Sequence, residues 1–220
     1  MRRVILLAAV IAIMWAVPAH SGIVNYFNDI VLVSPPASVQ TGDYENNQKI
    51  RLFIEQDPIW LLSRVRVDIT TPGLYDDESE LDTDSFIRKT TWVNSYLLHA
   101  DPVRPGDEGR VYQGRVKFDS PILGVIVRRG HLRNTDDPLG ALGTLYPSSD
   151  PDIAPGTGLE LDPEQDWVEL IDQYTLRVHY RVHGQIDEVR VLEAVPEPGT
   201  ALLLGAGLIA LGAALRRRSK

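Results

Sequence analysis

The amino-acid sequence predicts an all-β protein, an antiparallel β-sandwich with a jelly-roll-like order of strands. Apolar and polar residues alternate with a period of two along most of the chain, and clusters of turn-forming residues separate the alternating stretches. Outside residues 77–86, no helical period persists for more than two turns. Many strands with one apolar and one polar face are typical of two sheets that pack face to face.

The individual strands follow from these alternating stretches. We predict half-buried strands at residues 49–54, 63–69, 109–112, 114–118, 175–182 and 188–192. Two stretches are more uniformly apolar, residues 92–98 and 122–127, and predict central strands, while residues 167–171 predict a shorter strand. Turn clusters lie between them, at residues 71–73, 101–106, 136–138, 147–158 and 183–184.

The last 26 residues have a different design, with three consecutive parts. A motif at residues 195–200 opens with Val195, Pro196, Glu197 and Pro198. An uncharged apolar stretch at residues 200–215 predicts a transmembrane helix, which at 1.5 Å per residue extends about 24 Å and spans with slight thinning of the bilayer. A basic tail at residues 216–220 predicts a cytoplasmic stop, formed by Arg216, Arg217 and Arg218.

This arrangement resembles the PEP-CTERM sorting signal, in which a Val-Pro-Glu-Pro motif, a hydrophobic helix and an Arg-rich end are read by a membrane-embedded exosortase. The resemblance covers residues 195–220. It implies a bacterium of the Gram-negative type that makes exopolysaccharide, and cleavage near Pro196-Glu197-Pro198. It also implies delivery of the exported chain from the inner membrane to the cell surface or to the extracellular matrix of a biofilm. The alternative is a tail anchor that is not processed.

The N-terminus predicts a signal peptide at residues 1–21. Arg2 and Arg3 precede an apolar stretch at residues 4–17, and small residues then favour cleavage between Ser21 and Gly22. The chain is therefore expected to use the general secretion machinery. An uncleaved signal anchor is the alternative.

Between the two ends, residues 22–194 predict one extracytoplasmic domain. Without the six basic residues of the ends and without Glu197, this domain keeps 16 of the 22 basic and 29 of the 30 acidic residues, a net charge of −13. Such a charge argues against nucleic acid as a partner. The chain has no cysteine, which excludes disulfides, thiolate metal sites and cysteine catalysis.

The domain also resembles an uncharacterised β-domain that is common in PEP-CTERM proteins. The matching segments are residues 50–56, 95–102, 118–126 and 158–160. This resemblance implies a fold rather than a reaction.

No catalytic constellation is recognisable, and we expect no enzyme activity. His179 and His183 lie on one predicted strand, where they would be about 13 Å apart and unable to share a metal. His99 lies near Asp101, which would orient its imidazole, although a loop-bound histidine explains the same residues. Carboxylates are so numerous that no particular pair predicts a glycosidase. A glycoside-active enzyme is therefore the weaker alternative.

No cofactor is expected, and calcium is the one ion that the acidic loops suit, because it prefers hard oxygen ligands. The candidate ligand sets are Asp76, Asp77, Glu78, Asp82 and Asp84, and secondly Asp136, Asp137, Asp150, Asp152 and Glu160. The candidate aromatic residues for stacking on sugars are Trp60, Trp92, Trp167, Tyr44, Tyr75 and Tyr146. We therefore predict a structural or adhesive surface protein linked to exopolysaccharide, with a calcium-assisted carbohydrate-binding module as the alternative.

Overall fold

The computed structural model describes residues 22–103, 109–147, 157–183 and 185–195. The described residues between 21 and 194 belong to one compact unit. The predicted signal peptide and transmembrane helix, and the sorting motif beyond Val195, lie outside the described residues. Within the described ranges, no helix is both long and apolar enough to cross a membrane.

Twelve strands and one α-helix form the described fold. In chain order they are β1 (Ile23–Asn28), β2 (Ile30–Leu32), β3 (Ile50–Trp60), β4 (Val65–Arg66), β5 (Gly73–Tyr75), β6 (Phe86–Ile87), β7 (Trp92–Ala100), β8 (Arg110–Phe118), β9 (Ile122–Ile126), α1 (Arg129–Leu139), β10 (Trp167–Asp172), β11 (Thr175–Val182) and β12 (Asp187–Ala194). A short 3₁₀ turn, Glu78–Glu80, precedes β6.

The larger strands form two five-stranded sheets. The first sheet has the order β1-β8-β11-β10-β5, and the second has the order β2-β3-β7-β12-β9. Neighbouring strands are antiparallel except β2 and β3, which run parallel. These sheets confirm the predicted all-β sandwich. The more specific jelly-roll assignment stays a prediction.

Two apolar layers hold the domain together, one on each face of the second sheet. The layer between the two sheets includes Leu52, Tyr96, Leu98, Val116, Val178 and Val191. The layer on the outer face of the second sheet includes Phe53, Leu97, Leu192, Leu132 and Leu139, the last two from helix α1. The second sheet is therefore covered on both faces, which explains why β7 and β12 are buried along almost their whole length.

Most predicted strands lie where the alternation indicated. Several predictions of strand length, position in the sheet and burial were wrong. The two stretches predicted at 109–112 and 114–118 form one strand, β8 (Arg110–Phe118), and the alternating stretch 63–69 contributes only the two-residue strand β4. The stretch at 122–127 forms β9 at the end of its sheet rather than in the centre, although Ile69 bridges Val125 on its free side. Strand β12 was predicted to be half-buried, but its polar residue Arg190 also points into a packed layer, because helix α1 covers that face of the strand.

Helix α1 is the element that periodicity did not predict. Its segment contains Asp136, Asp137 and Pro138, which were predicted to form a turn. Three side chains at helical spacing, Leu132, Thr135 and Leu139, face the sheet, and one of them is polar. Conversely, residues 77–86 hold only the 3₁₀ turn and not a longer helix.

Candidate functional site

Three carboxylates from separate segments meet at one end of the sandwich, and we call this group the acidic cluster. Glu160 lies in the loop before β10, Asp166 immediately precedes β10, and Asp187 begins β12. One carboxylate oxygen from each residue lies within 4.8 Å of the others. Among the described residues, this is the one group of three or more acidic or histidine side chains that is close enough to share a metal ion.

A tight turn between Leu161 and Asp166 brings the cluster together. The two residues form a parallel bridge, and the backbone N–H of Asp162 donates to the carbonyl of Asp166 at 3.0 Å. The Asp162 side chain accepts a hydrogen bond from the N–H of Glu164 at 2.8 Å, which closes the turn. The N–H of Arg181 on β11 then donates to Oδ1 of Asp166 at 2.7 Å and fixes its carboxylate.

Burial and mutual repulsion dominate the electrostatics of the acidic cluster. Asp166 and Asp187 are each only 2% exposed, whereas Glu160 reaches the surface. The pKa of Asp166 is raised to about 6, chiefly by burial and in part by the neighbouring charge of Glu160. Burial also raises the pKa of Asp187 well above its ordinary value, and the charges of Asp166, Glu160 and Glu188 act in the same direction. The pKa of Glu160 is raised too, chiefly by burial.

The acidic cluster opens into a cavity of about 630 Å³. Its acidic lining includes Glu160, Asp162, Glu164 and Asp187, and its basic lining consists of Arg181 and His183. The Arg181 guanidinium donates to the carbonyl of Glu164 at 3.2 Å. The cavity thus gives water and small ions access to a strongly acidic floor.

The loops that the sequence suggested for calcium do not converge in this way. Asp77 accepts the N–H of Ser79 at 2.7 Å, and Asp82 accepts the hydroxyl of Thr70 at 2.7 Å. In the second set, Asp136 lies on helix α1, and its carboxylate pairs with the guanidinium of Arg190 at 2.8 Å. Asp150 and Asp152 lie outside the described residues. Of both predicted sets, only Glu160 belongs to the acidic cluster.

Asp166 and Asp187 were missed as candidate ligands, and nothing in their local spacing marks them. They are 21 residues apart in the chain, Asp166 directly before β10 of the first sheet and Asp187 at the start of β12 of the second sheet. A ligand set assembled from three segments is visible only in three dimensions.

The histidines make structural contacts that differ in part from expectation. His99 is buried on β7 rather than loop-bound, and its Nδ1 lies 2.9 Å from Glu188. Asp101, the expected partner, instead accepts the N–H of Gly42 at 2.7 Å. His179 lies on β11, where its Nδ1 contacts the carbonyl of Gln165 at 2.8 Å.

The aromatic candidates do not form a flat exposed platform. Trp60 and Trp92 are 38% and 44% exposed and adjacent, with centroids 5.0 Å apart, but their rings are tilted by 55°. Trp167 stacks on His179 at 5.2 Å instead of facing solvent alone. Tyr75 is buried. The other two candidates are half-buried. The hydroxyl of Tyr146 donates a hydrogen bond to Glu55, and the ring of Tyr44 lies beneath the guanidinium of Arg51.

The sorting motif begins where the fold ends. Strand β12 ends at Ala194, and Val195 is the last described residue. The other predicted sorting and stop residues, Pro196, Glu197, Pro198, Arg216, Arg217 and Arg218, lie outside the described residues, as does Ser21 of the predicted signal cleavage.

Comparison with known families confirms the sorting motif. The family model for the PEP-CTERM protein-sorting motif matches residues 194–218, so the chain carries this motif. The motif implies exosortase-dependent sorting of an exported precursor that is anchored in the membrane. Searches of curated proteins and of solved structures found no match to the chain.

Proposed function

We propose that the chain is the precursor of an exported β-sandwich that an exosortase processes and that is then displayed at the cell surface or in the extracellular matrix. There it acts as a structural or adhesive component linked to exopolysaccharide, without enzyme activity. The observation that carries this proposal is the PEP-CTERM motif at residues 194–218, which begins at the final residue of the last strand of the domain.

The boundary between fold and motif supports processing without damage to the domain. Strand β12 lies between β7 and β9 in the second sheet, and its pairing with β7 continues up to Ala194. The buried residues of β12 all precede Val195. Cleavage near Pro196-Glu197-Pro198 therefore leaves in place every described residue of β12 and of both apolar layers.

The N-terminal boundary supports export in the same way. Gly22 is the first described residue, and its N–H donates to Oδ1 of Asp119 at 2.8 Å. Strand β1 then begins at Ile23. Cleavage after Ser21 would turn this nitrogen into an α-ammonium group, which binds a carboxylate more strongly than a neutral amide does.

The contacts of the described polar residues support a structural role. His99 pairs with Glu188, and His131 pairs with Asp68 at 2.5 Å, so Nδ1 of each imidazole is engaged inside the fold. The chain has no cysteine and depends on packing and buried polar contacts for stability outside the cell.

The carbohydrate-binding alternative has weaker support. A sugar-binding platform uses aromatic faces that a ring can cover, and the exposed pair Trp60 and Trp92 is tilted by 55°. We therefore retain carbohydrate as a matrix partner and not as a ligand of a defined pocket.

The test is to follow processing of the chain in the bacterium that produces it. Replacing Pro196, Glu197 and Pro198 together by alanine is expected to leave the uncleaved precursor in the membrane fraction. A control variant with Arg88→Ala and Lys89→Ala, both exposed on the domain, is expected to be processed as the unaltered chain is. Unchanged release of the triple-alanine variant into the matrix would contradict the proposal.

A further inference from the structure

We propose that Glu160, Asp166 and Asp187 form a calcium-binding site at the end of the sandwich. This inference concerns the folded domain and does not depend on how the chain is sorted. The ligands would come from the loop before β10, from the start of β10 and from the start of β12, so one ion would tie the two sheets together.

The geometry of the acidic cluster fits a calcium ion. Calcium binds oxygen at about 2.3–2.6 Å, so two ligand atoms on opposite sides of one ion are up to about 5 Å apart. One oxygen from each of the three carboxylates lies within 4.8 Å of the others. The adjoining cavity leaves space for water ligands that complete the six to eight oxygens that calcium takes.

A second observation points to a ligand independently of the clustering. Asp187 is 2% exposed, and its Oδ2 has no hydrogen-bond partner among the described residues. The hydroxyl of Tyr180, which is fully buried beside these acids, also has no partner there. A buried carboxylate without a partner is destabilising, because the protein interior solvates charge poorly. A bound cation supplies the missing partner of Oδ2.

Three other buried carboxylates of this domain have the basic partners that the acidic cluster lacks. Glu55 is paired with Arg190, Asp68 with Arg128 and His131, and Glu188 with His99. Within the described part of the chain, no such ion pair involves Glu160, Asp166 or Asp187. Two further buried acids, Glu193 and Asp101, accept hydrogen bonds instead. The fold therefore supplies basic side chains or hydrogen-bond donors to the other buried acids and leaves Oδ2 of Asp187 to another cation.

Several charged groups surround the acidic cluster and set its net charge. The basic groups that face it are Arg129, Arg181 and His183, and the further acidic groups are Glu78, Asp162, Glu164 and Glu188. Acidic groups outnumber basic groups around the cavity, which favours entry of a cation from solvent. A proton shared among the three carboxylates is the competing occupant, and calcium binding would displace it.

The direct test is calorimetric titration of CaCl₂ into the purified full-length protein in detergent at pH 7.5, after treatment with a chelator. We expect saturable binding, and an increase in Tm of about 4–7 °C at a calcium concentration 20 times the Kd. Asp187→Asn and Asp166→Asn are each expected to weaken calcium binding at least tenfold and to lose most of the Tm increase. Asp84→Asn and Asp137→Asn, which alter acidic residues outside the cluster, are expected to bind as the unaltered chain does.

The sign of the effect without calcium separates a metal site from a merely structural cluster. In the presence of the chelator, Asp187→Asn removes repulsion between carboxylates and is expected to have a Tm equal to or above that of the unaltered chain. If this variant does not fold, Glu160→Gln and Asp166→Asn provide the same comparison. The absence of a calcium-dependent Tm increase in the unaltered chain, or an equal increase in Asp187→Asn and Asp166→Asn, would overturn the proposal.

Discussion

Arg190 on β12 and Glu55 on β3 form a two-point ion pair across the intervening strand β7. Nε and Nη2 of the arginine lie 2.7 and 2.8 Å from the two carboxylate oxygens, and neither side chain is exposed. The same guanidinium donates to the carbonyl of Leu132 at 2.9 Å and to the hydroxyl of Thr135, both on helix α1. Arg190 therefore links β12 and β3 of the second sheet to helix α1.

Arg190→Met is expected to destabilise the domain by about 3–5 kcal/mol, because it leaves Glu55 buried without its cation. Chemical denaturation of the purified protein measures this change. Arg177→Met is the matched control, since Arg177 pairs with Glu169 at the surface, and is expected to lose about 1 kcal/mol or less. Equal losses in the two variants would contradict the role assigned to the buried pair.

Asp68 is expected to fix the start of helix α1. Its carboxylate is fully buried and accepts the N–H groups of Val127 and Arg128 at 2.8 and 2.9 Å, and it pairs with His131 on the first helical turn. Asp68→Asn removes a negative charge from the helix N-terminus and is expected to destabilise the domain by about 2–3 kcal/mol.

Hydrogen exchange measured by NMR should show faster exchange in α1 of the Asp68→Asn variant than in the strands of the first sheet. Asp84→Asn provides the comparison, because Asp84 is exposed and its contact with Arg66 is 3.9 Å long. Unaltered protection of α1 in Asp68→Asn would show that packing alone holds the helix.

Gly158→Ala is expected to be more damaging than Gly143→Ala, although both glycines have a positive φ. A Cβ at Gly158 would lie 2.6 Å from the carbonyl oxygen of Val127 and 2.7 Å from the backbone nitrogen of Arg129, whereas a Cβ at Gly143 meets nothing within 4 Å. Gly143→Ala should therefore lower the free energy of unfolding by about 1 kcal/mol, because alanine disfavours a positive φ. Gly158→Ala should lower it by at least about 2 kcal/mol, because the steric overlap is added. Thermal unfolding of both variants checks the order, and the reverse order would contradict it.

The pH dependence of stability is expected to contain a contribution from Glu193. Burial raises the pKa of Glu193 to about 7, against the hydrogen bonds from Tyr96 and Ser120, which lower it. The folded state then binds more protons than the unfolded state above the unfolded pKa of 4.5, so stability falls as pH rises from there to about 7.

Removing the titrating group at position 193 is expected to flatten this part of the profile. The difference in unfolding free energy between the unaltered chain and Glu193→Gln should change by about 2–3 kcal/mol between pH 4.5 and pH 7, with the unaltered chain losing stability. Gln173→Ala, an exposed neutral position, should leave the profile unchanged. A constant difference across this range would exclude Glu193 as its source.

The strands and the sorting motif were predictable because their patterns are local. Alternation along residues 175–182 matches β11, and the contiguous motif at residues 194–218 is recognisable without a structure. Packing at a distance overrode local pattern elsewhere. Helix α1 contains Gly130 and Pro138, both poor helix formers, and it is stabilised by Asp68 and Arg190 from other parts of the chain.

The polar residues of β12 show the same limit of sequence reasoning. The alternation at residues 188–192 predicted a strand with one face in water, but its polar residues Glu188 and Arg190 are both buried. The acidic cluster was missed for a related reason. In the sequence, Asp187 resembles a solvent-exposed residue at the start of a strand, and only the fold shows that Glu160 lies next to it.

The most direct test of the central claim is mass spectrometry of both termini of the protein isolated from the cells that produce it. Export and exosortase processing predict a mature chain that begins at Gly22 and ends near Pro196-Glu197-Pro198, in the surface or matrix fraction. An intact chain from Met1 to Lys220 in the cytosol would contradict the account.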